Sequence, residues 1–150
     1  MISLREKTDL LKLFSENQLD GFAHQTNQER RMGRGFALKV ANQFPEALEA
    51  LKKSQGFLGE VSMVKTDHGT IWNATAQSLQ GIGRRTNYEA FFRCFELIEN
   101  QASQLKPDFR LAVPYNIGCG YGGGSWNIVS AILFDLFDKS TVRLIICKID

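Results

Sequence analysis

The spacing of apolar residues changes along this chain in a way that marks alternating strands and helices. Ile2-Ser-Leu-Arg-Glu6 alternates and predicts a first strand. Thr8-Asp9-Leu10-Leu11 predicts a short helical turn reaching Phe14, with Asp9 as its cap. Residues 19–24 predict a buried second strand running directly into a polar loop, 25–35, closed by Gly33 and Gly35. Phe36, Val40 and Phe44 mark one face of a helix ended by Pro45. Pro45 itself opens a further helix to Lys53, with acids early and lysines late. Residues 59–65 and 70–76 predict a hairpin that turns at Asp67-His68-Gly69 and leaves His68 exposed at its tip. Residues 77–85, with Gly81 and Gly83, are expected to be irregular, and Thr86-Asn-Tyr-Glu89 to form a capping box. Behind that box, Phe91, Phe95, Ile98, Ala102 and Leu105 form one stripe of a helix that stops before Pro107. Residues 109–113 suit a strand, 126–137 carry Val129, Ile132, Leu133 and Leu136 at helical spacing, and 142–148 read as a central strand. The order β, β, α, α, β, β, α, β, α, β predicts an α/β fold, a mixed sheet with helices on both faces.

Between the last helix and the strand before it lies Pro114-Tyr-Asn-Ile-Gly-Cys-Gly-Tyr-Gly-Gly-Gly-Ser-Trp126, in which five of thirteen residues are glycine. Strand, glycine loop and helix start together make an anion cradle, because glycine lets the backbone approach closely and the helix start offers unpaired N–H groups. Gly120 and Gly122 are expected to lie against phosphate oxygens at positive φ. A simple turn needs one or two glycines, and each further one costs conformational entropy. Gly118, Gly120 and Gly123 also match G-x-G-x-x-G, but a dinucleotide fingerprint opens a βαβ unit followed by an acidic residue about 20 positions on. Here only one more strand follows, and that reading is set aside. The 25–35 loop repeats the strand, glycine loop and helix start. Two such loops suit a pyrophosphate better than a single phosphate, and the Asn27 amide has donors and an acceptor for sugar hydroxyls.

Composition adds bounds. At 150 residues, 43% hydrophobic and 23% charged, one domain over 1–150 with a real core is expected. A net charge of +2 gives no support to nucleic-acid binding, and Arg30, Arg31, Arg34, Arg84 and Arg85 lack interleaved aromatic residues for stacking bases. The charged start and the lack of a long apolar segment predict neither signal peptide nor membrane span. Cys94, Cys119 and Cys147 are three and widely spaced, which points to a reducing cytoplasm rather than disulfides. With only His24 and His68 besides, no metal and no cofactor are expected, and the chain is expected to be a monomer.

Ala23-His-Gln-Thr-Asn27, Arg31-Met-Gly-Arg-Gly-Phe-Ala37, Phe44-Pro45, Leu58-Gly-Glu-Val61, Gly83-Arg-Arg-Thr-Asn-Tyr-Glu89 and Val113-Pro-Tyr-Asn-Ile-Gly-Cys-Gly120 occur in that order. Together they resemble the macro domain family over essentially the whole chain. They are most similar to its compact branch, which includes phage-type ADP-ribose-1″-phosphate processing proteins and the terminal ADP-ribose protein glycohydrolase. The resemblance implies a three-layer α/β/α fold with a cleft for ADP-ribose, free or carried on a protein, at the C-terminal ends of the strands. It implies that Asp9 receives the adenine amino group and that Asn27 lies near the distal ribose. It further implies that Gly33, Arg34 and Gly35 form the first phosphate loop. The resemblance implies too that Gly118, Cys119, Gly120, Tyr121 and Gly122 form the second, with Tyr121 beside the distal ribose.

Three departures bear on chemistry. Thr8 stands where most members have glycine before the aspartate. The glycohydrolase's lysine aligns with Ala76-Gln77-Ser78, and its second-loop aspartate with Gly122-Gly-Gly124, so its lysine-based chemistry does not transfer. His24, at a position where some family monophosphatases carry histidine, is the candidate acid–base group; a lone histidine at a strand end otherwise serves as a hydrogen-bonded structural residue. The resemblance therefore implies hydrolysis of an ADP-ribose derivative, either the 1″-phosphate or a protein-linked ester. The alternative is a non-catalytic reader of ADP-ribose.

Overall fold

The computed structural model describes residues 1–79 and 83–150. Its elements are β1 (Ile2–Arg5), α1 (Leu10–Ser15), β2 (Gly21–Asn27), α2 (Gly35–Gln43), α3 (Pro45–Lys53), β3 (Glu60–Thr66), β4 (Gly69–Gln77), α4 (Tyr88–Leu105), β5 (Arg110–Pro114), α5 (Trp126–Phe137) and β6 (Arg143–Cys147). The strands form one six-stranded sheet in the order β1-β6-β5-β2-β4-β3. All neighbours are parallel except the β3–β4 hairpin, which places an antiparallel strand at one edge. β6 lies inside the sheet, as its unbroken apolar run implies.

Period-two alternation divides the interior into two layers. Ala23, Trp72, Leu111 and Leu144 meet α4 and α5 on one face, while Phe22, Ile71, Ala112 and Ile145 meet α1, α2 and α3 on the other. Phe91, Phe95, Ile98 and Ala102 are fully buried as the helical stripe predicts, but Leu105, in the last turn, is exposed. Each large side chain buried here contributes roughly 1.5–3 kcal/mol. At the end of the sheet away from the cleft, the Asp20 carboxylate accepts from the Arg110 backbone N–H and guanidinium and from Lys106 Nζ. Burial pushes its pKa up, but the hydrogen bonds from Arg110 and Lys106 outweigh that and hold it below the usual value.

Several local expectations change. β2 continues to Asn27, so residues 25–27 belong to the sheet and not to the loop. A register shift between Thr26 and Asn27, whose partners on β4 are Thr75 and Gln77, leaves Ala76 as an extra residue beside the loop. His68 is half-buried, edge-on to Phe44 and tilted against Phe14, with Nδ1 3.0 Å from Asn17 Oδ1, because the hairpin folds back over α1. α4 is capped by Asn87, whose side chain accepts from Ala90 N at 2.8 Å, and not by Thr86. β4 runs to Gln77, so the stretch expected to be irregular begins at Ser78, and Gly81 lies outside the described residues.

Candidate functional site

β2 and β5 are neighbours, but the helices that follow them pack on opposite faces of the sheet. Their pairing covers only Gly21–Leu111 and Phe22–Ala112. Beyond that the strands part, and a crevice opens at their carboxyl ends, as it does at a topological switch point. The β2–α2 and β5–α5 loops form its walls. It measures about 500 Å³ and is lined by Gly33, Arg34, Gly35, Gly118, Gly120, Tyr121 and Gly122, with His24, Asn27 and Arg85 among its other residues. α2 and α5, which follow the two loops, have no side-chain cap, whereas Asp9 and Asn87 cap α1 and α4. The N-terminus of α2 therefore presents N–H groups and a partial positive charge to the crevice.

Thr86 is used in the second loop instead of as a cap. Its hydroxyl donates to the Gly118 carbonyl at 2.7 Å and accepts from Gln25 Nε2 at 2.9 Å. Arg85 N and Thr86 N both donate to the Gly122 carbonyl, and Gly124 N donates to Gly118 O. The positive φ values fall at Gly118 (77°) and Gly123 (70°), not at Gly120 and Gly122 as the sequence suggests. A Cβ at Gly120 would meet nothing within 4 Å, whereas one at Gly122 would run into Thr86 Oγ1 and come within 2.8 Å of Gly118 O. Gly122 is thus required by packing within the loop, and Gly120 is the glycine that faces open space. An aspartate at 122 would not fit this loop.

His24 is 1% exposed and held at Nε2, 2.7 Å from Asn73 Oδ1. Asn73 donates through Nδ2 to the Ala47 carbonyl and the Ser62 hydroxyl, so its oxygen faces the ring and His24 carries its proton on Nε2. Burial lowers the His24 pKa to about 4, against the smaller raising effect of Asn73. The ring is neutral at pH 7, and Nδ1 is a bare acceptor. Asn27 lines the crevice, but its amide closes the loop on Arg31, accepting from Arg31 N and donating to Arg31 O. The remaining amide hydrogen is available to a sugar hydroxyl. Tyr121 is 65% exposed and reaches across to the other wall, with the Arg34 guanidinium 5.4 Å from its ring centre. Cys119 packs against the core with Sγ near the Ile117 carbonyl, and burial raises its pKa; only its backbone remains for a ligand. Asp9 lies in a second cavity, of about 820 Å³, which adjoins the first through Phe36, Pro114, Tyr115 and Asn116. There it caps α1, accepting from Lys12 N at 3.3 Å.

The sequence did not single out a polar group at the other end of the crevice. Gln25, Glu29, Gln77 and Arg85 line it, and Arg85 Nη2 donates to Glu29 Oε1 at 2.9 Å and to Ser78 O at 3.1 Å. Arg85 was visible only as part of a basic pair, and nothing local distinguishes it from Arg84. Of the residues aligned with the glycohydrolase's lysine, Ala76 is buried in the core and Gln77 lines the crevice. Among the described residues, the buried side-chain atoms without a hydrogen-bond partner are His24 Nδ1, Gln25 Oε1 and Arg85 Nε, and all three residues line this crevice. Such atoms cost free energy unless a ligand or water meets them. No group of three or more metal-ligating side chains occurs among the described residues, and no described helix is long and apolar enough to cross a membrane.

No family model matches the chain. It is 31% identical over 151 residues to the uncharacterized 17.5 kDa protein of the tk-vs intergenic region of Enterobacteria phage T4, covering 93% of this chain and 92% of that one. It is 29% identical over 136 residues to the ADP-ribose glycohydrolase OARD1 of Bos taurus, covering 88% and 84%. The macrodomain of Thermus aquaticus DarG superposes with a TM-score of 0.79 at 17% identity, over 99% of this chain and 98% of that one, which shows a common α/β/α fold.

Proposed function

The chain belongs to the macro domain family, and from that premise we propose that its crevice binds ADP-ribose and hydrolyses an ADP-ribose derivative at the terminal ribose. The observation that carries this reading is the meeting of two glycine loops, one of them leading into an uncapped helix, on a single crevice. A pyrophosphate lies between them, receiving N–H groups from the start of α2 and from the second loop. The adenosine then enters the adjoining cavity, where Asp9 accepts from the adenine amino group, and the distal ribose lies against Asn27 and Tyr121. The name of the Bos taurus relative supports turnover of an ADP-ribose compound.

The lining residues also limit the chemistry. Neutral His24 has no proton at Nδ1 to give, and Gln77 stands where the aligned lysine would face the crevice. A leaving group that departs from C1″ as an anion needs no proton donor, and phosphate and carboxylate both qualify. A water held between phosphate and ribose is the nucleophile, and His24, whose buried Nδ1 lacks a hydrogen-bond partner beside the crevice, is the candidate to orient it or a ribose hydroxyl. The glycine loops stabilise developing negative charge as preorganised donors do. A second reading, a reader that binds without turnover, is favoured by the same shortage of a general base. As part of the proposal, residues 1–150 act as one domain, as a cytoplasmic monomer without nucleic acid or cofactor.

ADP-ribose is expected to bind with a Kd in the micromolar range or tighter, about 8 kcal/mol. Calorimetry that shows no heat, and no competition at millimolar ADP-ribose, removes the reading. Product analysis should show cleavage of ADP-ribose-1″-phosphate or of a carboxylate-linked ADP-ribosyl protein, and none of a serine-linked one. Binding without product from any of them leaves the reader.

A further inference from the structure

The second glycine loop runs between two arginines, each laid on a tyrosine. On one side the Arg34 guanidinium, from the first loop, lies 5.4 Å from the centre of the Tyr121 ring. On the other, that of Arg84 lies 4.2 Å from the centre of the Tyr88 ring, whose hydroxyl accepts from Ser125 N where the glycine loop ends. A Cβ at Gly123 would come within 3.3 Å of the Arg84 Cα, so Arg84 borders the loop closely. Arg31 adds a third guanidinium, on a backbone that the Asn27 amide clamps through Arg31 N and O. Arg31 and Arg34 line the crevice, whereas Arg84 stands outside it on the rim. All three are exposed, and none forms an ion pair among the described residues. The carboxylates of the same segments are engaged, Glu29 by Arg85 and Glu89 by Arg93. The whole chain carries a net charge of only +2, so this excess of positive charge is local.

We propose that this rim is a docking surface for the polypeptide of a protein-linked substrate, and that it selects polypeptides with acidic residues flanking the modified one. The inference rests on the ADP-ribose reading above and concerns the residues around the linkage, not the linkage itself. With the distal ribose against Asn27 and Tyr121, the polypeptide joined to C1″ leaves the crevice between Arg34 and Arg84. Its carboxylates then meet guanidinium groups from both walls, whose planar forks match carboxylate geometry. One face of each tyrosine is already covered by its arginine, and the Tyr88 hydroxyl is engaged. The rim therefore presents guanidinium edges for carboxylates rather than open rings for stacking bases.

The test measures displacement of a fluorescent ADP-ribose from the full chain by two synthetic peptides, each carrying ADP-ribose on one glutamate. One peptide has aspartate and glutamate around that residue, the other serine and glutamine. Displacement, read before turnover, serves an enzyme and a reader alike. The wild type should favour the acidic peptide by about fivefold or more at low salt, as several exposed ion pairs together allow, and the preference should fade as ionic strength rises. Arg84→Gln should lower it by about twofold and Arg84→Glu should remove it, with free ADP-ribose bound as in the wild type. Lys139→Gln, which removes the same charge beyond the far end of α5, should change nothing. Equal affinity of the wild type for the two peptides overturns the inference and leaves the ADP-ribose reading intact. So does an equal effect of Arg84→Gln and Lys139→Gln, or Arg84 variants that weaken free ADP-ribose as much as the acidic peptide. A single-stranded oligonucleotide that displaces the acidic peptide gives the rim to nucleic acid and overturns it too. If the wild type does not bind the fluorescent ADP-ribose, the ADP-ribose reading itself fails and takes this inference with it.

Discussion

Gly120 and Gly122 sit two residues apart in the same loop and do different things. The Gly120 Cα faces open space, so a methyl group there leaves the protein's own packing intact and projects into the room that the proposed pyrophosphate would take. Gly120→Ala should change stability by no more than an ordinary surface substitution, roughly 0.5 kcal/mol, and weaken ADP-ribose. Gly122→Val places its side chain against Thr86 Oγ1, Gly118 O and Gln25 Nε2, so stability and affinity should fall together, by on the order of 1–3 kcal/mol in stability. Calorimetric affinity beside thermal midpoint separates the two; equal behaviour of the two variants would show that the loop rearranges around either side chain. The run of glycines was legible as a whole, but which glycine answers to the ligand and which to the loop depends on the neighbours each Cα meets.

At the scale of elements, the helix starts differ in how they are closed, and among the uncapped ones (α2, α3 and α5) it is the start of α2 that lines the crevice. α1 and α4 are closed by Asp9 and Asn87, whereas α2 and α5 follow glycine loops and have no side-chain cap. Thr86-Asn-Tyr-Glu89 fits a capping box on sequence, yet Asn87 takes the cap and Glu89 pairs with Arg93 at 2.6 Å. The Thr86 hydroxyl is drawn away by Gln25 and Gly118, which lie 61 and 32 residues distant in the chain. Asn87→Ala should therefore cost about 1 kcal/mol of stability with little effect on ADP-ribose. Thr86→Val, which keeps the shape and removes the hydroxyl, should lower affinity as well, because the second glycine loop loses its tie. Chemical denaturation together with calorimetry checks both, and a larger binding defect in Asn87→Ala than in Thr86→Val would contradict this assignment.

For the whole molecule, acid should reveal the buried histidine. The His24 pKa is about 4 in the folded protein against 6.5 ordinarily, so the unfolded chain takes up the proton first as pH falls. Stability from this group is complete above pH 6.5, declines through the window down to about pH 4, and changes no further below it, a loss on the order of 3 kcal/mol. Asp20, whose pKa lies below 3.8, adds its loss only at lower pH. Urea unfolding at pH 7 and 4.5 should show a clear drop for the wild type and a smaller one for His24→Gln; parallel curves would place the acid sensitivity elsewhere. The sequence by itself determined the α/β class, nearly every strand and helix, and the existence of two glycine loops at helix starts. Those features are local, written in periods of 2 and 3.6 residues and in the chemistry of Gly and Pro. Only the tertiary structure decided that β2 and β5 part after two residue pairs and bring the loops together. It also decided that His24 is neutral with its proton on Nε2, and that Arg85 is held by Glu29. Each of these depends on groups tens of residues apart in the chain that meet only after folding. Their burial, charge and hydrogen bonding have no counterpart in the spacing of residues along it.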